Sequence, residues 1–155
     1  MAILRYVARE YGAGQGLCCE GGSPKEQARF DMLLEQALDF RNAVARVAYG
    51  NTFDSFVASA GPEMLGLWQR FFAARETPEW VAGKALTIAD FVLAEAIEHW
   101  VTMARERLGG RDVLTEFPDV AAYLTRFVGL PSIARYRAGP TYLARPFNGA
   151  TASWR

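Results

Sequence analysis

Thr87 and Asp90 stand three residues apart in "GKALTIADFVLAEAIEHW", Gly83 to Trp100, where nearly every other side chain is apolar. A hydroxyl and a carboxylate at the head of such a run invite a chemical reading, but their spacing assigns a structural one. Ser/Thr-x-x-acid is the arrangement of a capping box. The Thr87 hydroxyl is expected to accept from the Asp90 amide, and the Asp90 carboxylate to reach back to the Thr87 amide. The carboxylate also suits the positive end of the helix dipole. Leu86 and Phe91 are spaced as a hydrophobic staple around the cap. His99 is the single histidine of the chain. It has no Ser-His-Asp order to join, and Glu95, Glu98 and His99 do not make the two-histidine spacing of a zinc protease. A satisfied helix histidine or a solvated face is the expectation there. Cys18 and Cys19 are adjacent, which gives neither metal-ligand spacing nor an easy disulfide. No metal site is expected.

These residues ride on a chain of helical period. Ile3, Leu4, Val7, Ala8 and Tyr11 make one face of a short helix. "GAGQGLCCEGGSP" follows as a Gly-rich break and the expected linker. No strand precedes its glycines, so they fit no phosphate-cradling pattern. Ser23-Pro24-Lys25-Glu26 reads as an N-cap, a proline in the first turn and an acid at the third position. The helix it opens puts Phe30, Leu33, Leu34, Ala37, Leu38, Val44, Val47 and Ala48 on its apolar side and runs to about Tyr49. A second helix is predicted over 61–74, with Met64, Leu65, Trp68, Phe71 and Phe72 inward. "ETPEWVAGKA" reads as a loop. The capped helix carries Asp90, Ala94, Ile97, Val101, Ala104 and Leu108 at spacings of three and four, and Gly109-Gly110 ends it. "FPDVAAYLTRFVGL" and "PSIARYRAG" are two shorter helices opened by proline. No segment alternates as a strand does, so the fold class is all-α, a helical bundle.

At 155 residues and 51% apolar, the chain is long enough for one domain with a real core. Seventeen basic residues balance seventeen acidic ones, which leaves no net field to draw nucleic acid or an anionic membrane. Trp68, Phe71 and Phe72 fall at core spacing without an interleaved basic patch, against nucleic-acid stacking. "MAILRYVARE" is too short and too interrupted by Arg5 and Arg9 for a signal peptide. No run reaches the ~18 apolar residues of a membrane span. A reducing cytoplasm fits this cysteine usage.

The order of elements, with "WVAGKALTIADF" and "FPDVAAYLTRFVGLPSIARY", resembles the C-terminal helical domain of glutathione transferases. The tail "YLARPFNGATASW" looks most like the mu class, and "AILRYVARE" resembles the stretch after the Gln-Ser pair of that family's thioredoxin-like domain. The resemblance covers essentially the whole chain. It implies residues 1–11 as the last helix of the thioredoxin-like domain, 12–23 as linker, and 24–155 as the helical domain. The family's thiol-activating Tyr or Ser, and most of its glutathione contacts, precede the place where Met1 falls. The expectation is therefore no catalytic residue and no cofactor in this chain, with glutathione a co-substrate where the missing domain is present.

The resemblance also implies site residues. Asp39, in "EQALDFRN", matches the aspartate that reaches the glutathione of the neighbouring subunit; the alternative is an exposed carboxylate pairing with Arg41 or Arg46. Tyr49, in "RVAYG", matches a tyrosine lining the hydrophobic substrate site, where its hydroxyl helps a developing anion; the alternative is an amphipathic tyrosine ending a helix. Leu38 and Ala45 would line that site, beside a polar Asn42 and with Asn148 where an aromatic is frequent. Arg5 and Asp31 match a charge cluster at a dimer two-fold; the alternative is ordinary surface ions. Two function classes follow. One is the substrate half of an enzyme joining glutathione to hydrophobic electrophiles, a homodimer, inactive as this chain alone. The other is a non-catalytic protein-interaction module or ligand-binding scaffold.

Overall fold

The computed structural model describes residues 2–12, 14–19, 21–50, 52–75 and 80–155. Helix α1 (Ala2–Tyr11) leads into turns that reach Ser23, and α2 (Pro24–Tyr49) begins there. The Ser23 box forms: the Glu26 amide donates to the Ser23 hydroxyl at 3.3 Å, and the Ser23 amide donates to the Glu26 carboxylate at 2.8 Å. These two bonds satisfy donors the helix cannot pair internally. The Ser23 hydroxyl donates to the Glu26 carboxylate as well, at 2.7 Å, and with the Ser23 amide it holds the Glu26 carboxyl below its ordinary value.

A short α3 (Phe53–Ser55), a π turn (Phe56–Ala60) and α4 (Gly61–Ala73) run on from one another. The sequence reading started this region at Gly61 and missed the eight residues before it. The π turn closes where the Gly61 amide donates to the Phe56 carbonyl. A Cβ on Gly61 would lie 2.9 Å from the Phe56 ring and 3.0 Å from the Phe56 carbonyl oxygen, so the wide turn is packed around a position that only hydrogen can occupy.

Helix α5 (Ile88–Arg107), a 3₁₀ turn (Val113–Glu116), α6 (Pro118–Val128) and α7 (Pro131–Arg137) complete the bundle, and residues 138–155 return over it without regular structure. The prolines at 24, 118 and 131 all open helices, where a missing N–H costs nothing. No strand occurs among the described residues; Trp80 and Gly83 share a single antiparallel bridge inside the expected loop. Glu76–Glu79 of that loop lie outside the described residues.

The long pair α2 and α5 forms the centre. Leu34, Ala37, Phe40 and Ala48 from α2 and Ala89, Leu93, Ala94, Ala96, Ile97 and Ala104 from α5 are fully buried. The many alanines let the two backbones approach, and the large side chains between them fill the gap. Each fully buried Leu or Phe contributes about 2 kcal/mol of transfer free energy. Of the residues expected inward on α4, Leu65, Trp68 and Phe72 are buried and Met64 and Phe71 only half-buried; Trp68 is 2% exposed, and Phe72 stacks on Tyr123 of α6 at 4.6 Å between centroids.

The Gly-rich segment packs on this core and is not a free tether. Cys18 is buried, and the Leu17 carbonyl accepts the Ile88 amide at 2.9 Å, where α5 begins. Both cysteines are thiols.

Candidate functional site: one helix, two stripes and a returning tail

All the substrate-side residues expected from sequence lie on α2. Leu38, Asn42, Ala45 and Tyr49 follow at helical spacing along one stripe, the first three half-buried and Tyr49 49% exposed. Asp39, Ala43 and Arg46 occupy the neighbouring stripe, and they line a cleft of about 360 Å³ with Ser55, Phe56 and Met64 across from them. The helix thus separates Asp39 from the Tyr49 row by the angle between adjacent stripes. Of the two partners in the alternative reading of Asp39, Arg41 bonds Glu95 instead, at 3.2 Å. Arg46 shares the cleft lining with Asp39.

The tail completes the Tyr49 end. The Gly149 amide donates to the Tyr49 hydroxyl oxygen at 2.9 Å. Trp154 donates its amide to the Ala48 carbonyl at 3.1 Å, and Asn148 donates its side-chain amide to the Trp154 carbonyl at 3.2 Å. A phenol oxygen that accepts an N–H keeps its own proton to donate, and acceptance polarises that O–H. Sequence spacing could not find Gly149, because the partner stands a hundred residues from Tyr49.

Arg5 and Asp31 do meet, within one chain, at 2.9 Å, and Glu35 accepts from the same guanidinium at 3.1 Å. Asp31 and Glu35 are one turn apart on α2, so a single guanidinium bonds both carboxylates. Glu35 was not anticipated, although its i+4 spacing from Asp31 was a readable signal.

Among the described residues, Thr87 and Asp90 form the most buried polar group, 1% and 0% exposed. The Asp90 carboxylate accepts the Thr87 amide at 2.8 Å, as the capping box requires, and the Thr87 hydroxyl at 3.0 Å. The hydroxyl therefore gives its own proton to the carboxylate, and the Asp90 amide bonds the Thr87 carbonyl at 3.0 Å. The other carboxylate oxygen accepts the Val81 amide at 2.8 Å and the Tyr123 hydroxyl at 3.3 Å. Burial raises the Asp90 carboxyl above its ordinary value, and the donors from Val81, Thr87 and Tyr123 oppose the rise. Burial and the Asp90 charge push the Tyr123 phenol well up, which keeps it a donor. This group fastens the 80–87 segment to α5 and α6. Phe91, at the expected staple position, sets its ring edge-on to Phe127 at 5.3 Å.

His99 is half-buried, with its ring 4.3 Å from that of Phe147 in the tail. Burial holds it below the ordinary histidine value; Glu95 and Glu98 pull upward, and Arg41 and Arg145 push further down. No cluster of metal-ligating side chains occurs among the described residues. No helix among them is long and apolar enough to cross a membrane.

The family model for the glutathione S-transferase C-terminal domain matches residues 38–139, from the start of the Leu38–Tyr49 stripe to just past α7. The chain belongs to the glutathione S-transferase family. Among its relatives, human glutathione S-transferase Mu 2 is 33% identical over 156 residues, and bovine glutathione S-transferase Mu 1 is 31% identical over 156. Each alignment takes in 99% of this chain and 65% of the relative, so this transferase-family chain spans about two thirds of the length of the mu-class proteins it matches. The crystal structure of the glutathione S-transferase Blo t 8 superposes with a TM-score of 0.74 at 25% identity, covering 97% of this chain and 67% of that one. The mu-like, all-α reading of the transferase bundle therefore holds.

Proposed function

We propose that this chain supplies the electrophile side of a glutathione-conjugating enzyme, and that the thiol is activated by a glutathione-binding half outside these residues. The observation that carries the reading is the Tyr49 hydroxyl. It ends the Leu38–Asn42–Ala45 stripe, is half exposed, and has its oxygen occupied by the Gly149 amide. A phenol so held keeps its own proton to donate, beside a stripe of mixed apolar and amide character. Addition of a thiolate to an epoxide or an activated alkene leaves an anion on the electrophile, and a fixed donor stabilises that anion only as it develops. Asn42 in the middle of the stripe favours electrophiles that carry an acceptor group over purely apolar ones.

Asp39 lies on the adjacent stripe and does not face the Tyr49 row, which agrees with a role toward a ligand held by a second subunit. In this reading the active assembly is a homodimer, and its substrates are hydrophobic small molecules, as in detoxification. Thiolate formation needs a donor or a positive dipole aimed at sulfur, and that task belongs to the glutathione-binding half.

The test is conjugation of a chromogenic aryl halide and of an epoxide. The chain alone gives background rates. The same chain joined at its N-terminus to the thioredoxin-like half of a mu-class relative turns over both. Turnover by the chain alone, or none by the joined protein when its glutathione-binding half is shown to bind glutathione, overturns the proposal.

A further inference from the structure

Glu106 breaks a local rule. It sits in the last turn of α5, at the negative end of the helix dipole, where a carboxylate is disfavoured and its neighbours Arg105 and Arg107 are not. Its two oxygens are spent on the tail. Oε2 accepts the Trp154 indole N–H at 2.6 Å, and Oε1 pairs with Arg145. The Arg145 guanidinium in turn lies 4.5 Å over the Phe147 ring and 4.7 Å over the Trp154 ring. Trp154 is 6% exposed, and a buried indole N–H needs an acceptor. Thus one carboxylate gathers residues 145, 147 and 154 into a single stacked group, and the Gly149 amide lies inside the loop that this group closes.

The geometry points to Glu106 as a positioning residue for Tyr49: it latches the tail, and the latched tail presents the Gly149 amide to the phenol oxygen. Glu106 touches neither Tyr49 nor the stripe below it. It acts through the tail, which crosses from the end of α5 to the end of α2 and is tied there again by the Trp154 amide on the Ala48 carbonyl. The assignment rests on the proposed role of Tyr49 for its functional meaning, while the latch itself is a matter of hydrogen bonds.

Three variants separate the contributions. Glu106→Ala removes both partners, Glu106→Gln keeps an acceptor for the indole and loses the charge that holds Arg145, and Trp154→Phe keeps the ring and loses the N–H. Two-dimensional NMR with amide exchange on the chain itself reads the result without any turnover. With Glu106→Ala, exchange at the Gly149 and Trp154 amides rises at least tenfold, the Trp154 indole resonance moves toward its solvent position, and the Tyr49 ring signals shift. Amides in the middle of α5, at Ala96 and Ile97, keep their rates. Glu106→Gln falls between Glu106→Ala and the parent. Unchanged Gly149 exchange and Tyr49 signals in Glu106→Ala overturn the latch. So does a uniform acceleration that includes α5, since that is loss of stability and not of position. In the joined protein, Glu106→Ala and Tyr49→Phe lower kcat on an epoxide by the same factor, and the double variant loses no more than either. A loss that multiplies shows that Glu106 acts by another route. A joined protein without activity defeats the functional reading and leaves the NMR result standing.

Discussion

The Tyr123 hydroxyl lies 3.0 Å from the Asp90 carbonyl oxygen and 3.3 Å from its carboxylate, so one phenol on α6 closes both the backbone and the side chain of the residue that caps α5. The cap is therefore a tertiary joint. Replacing Thr87 and Asp90 together by Ala leaves the Val81 and Thr87 amides and the Tyr123 hydroxyl buried without the carboxylate. A lost cap and unpaired buried donors together cost roughly 2–4 kcal/mol. Tyr123→Phe, which keeps the stack on Phe72, costs about 1 kcal/mol. Urea denaturation midpoints check both, and a double variant as stable as the parent removes the assignment.

His99 makes stability depend on pH. Its folded value lies below the ordinary one because it is buried against Phe147 with Arg41 and Arg145 nearby. The unfolded chain therefore takes up the proton first as pH falls. The stability attached to neutral His99 is complete above the ordinary value, about 6.5, and is lost progressively as pH drops through the depressed folded value. The gap in unfolding free energy between the parent and His99→Gln should shrink from pH 8 to pH 5. A gap that stays constant, with an imidazole titrating at the ordinary value by NMR, contradicts the burial argument.

Tyr49→Phe in the joined protein removes the donor and leaves the apolar stripe. Loss of a single aimed donor lowers kcat on an epoxide by about 10- to 100-fold, toward the smaller end of what such donors supply because Tyr49 is half exposed. KM stays close to the parent value, since the donor acts on charge that exists only in the transition state. A rise in KM with unchanged kcat would make Tyr49 a binding wall only.

Helix α1 exposes Ile3, Tyr6, Val7 and Tyr11, at 80%, 60%, 43% and 75%. Four large apolar side chains on a helix of 10 residues make a surface that favours association. The chain should self-associate at tens of micromolar, about −6 kcal/mol, and the association should weaken when residues 1–11 are deleted while α2 to α7 stay folded. Sedimentation velocity of both chains decides it. Monomers in both cases place the stripe outside any interface between copies.

Helix identity was legible because it depends on neighbours three and four residues apart. The Ser23 and Thr87 caps, the proline openings and the apolar faces of α2 and α5 were all present in the sequence as spacing. The π turn was not, because nothing local in "FVASA" marks an i+5 bond; it exists because Gly61 lets Phe56 close against the backbone. Leu38, Asn42, Ala45 and Tyr49 were named through the family resemblance, and helix α2 shows that they share one stripe.

What the chain alone determined about this protein is its all-α architecture and which side chains share a helix face, because helical period and capping chemistry are properties of short stretches; its family was legible only as a resemblance. Only the tertiary structure decided that Asp90 takes donors from Val81 and Tyr123, that Arg41 turns to Glu95 and not to Asp39, that Arg5 pairs with Glu35 as well as Asp31, and that Gly149 finds the Tyr49 oxygen. Each of those bonds joins residues far apart in sequence. Hydrogen-bond partners at such separation are chosen by how the helices pack, and packing is settled by the shape of the whole core.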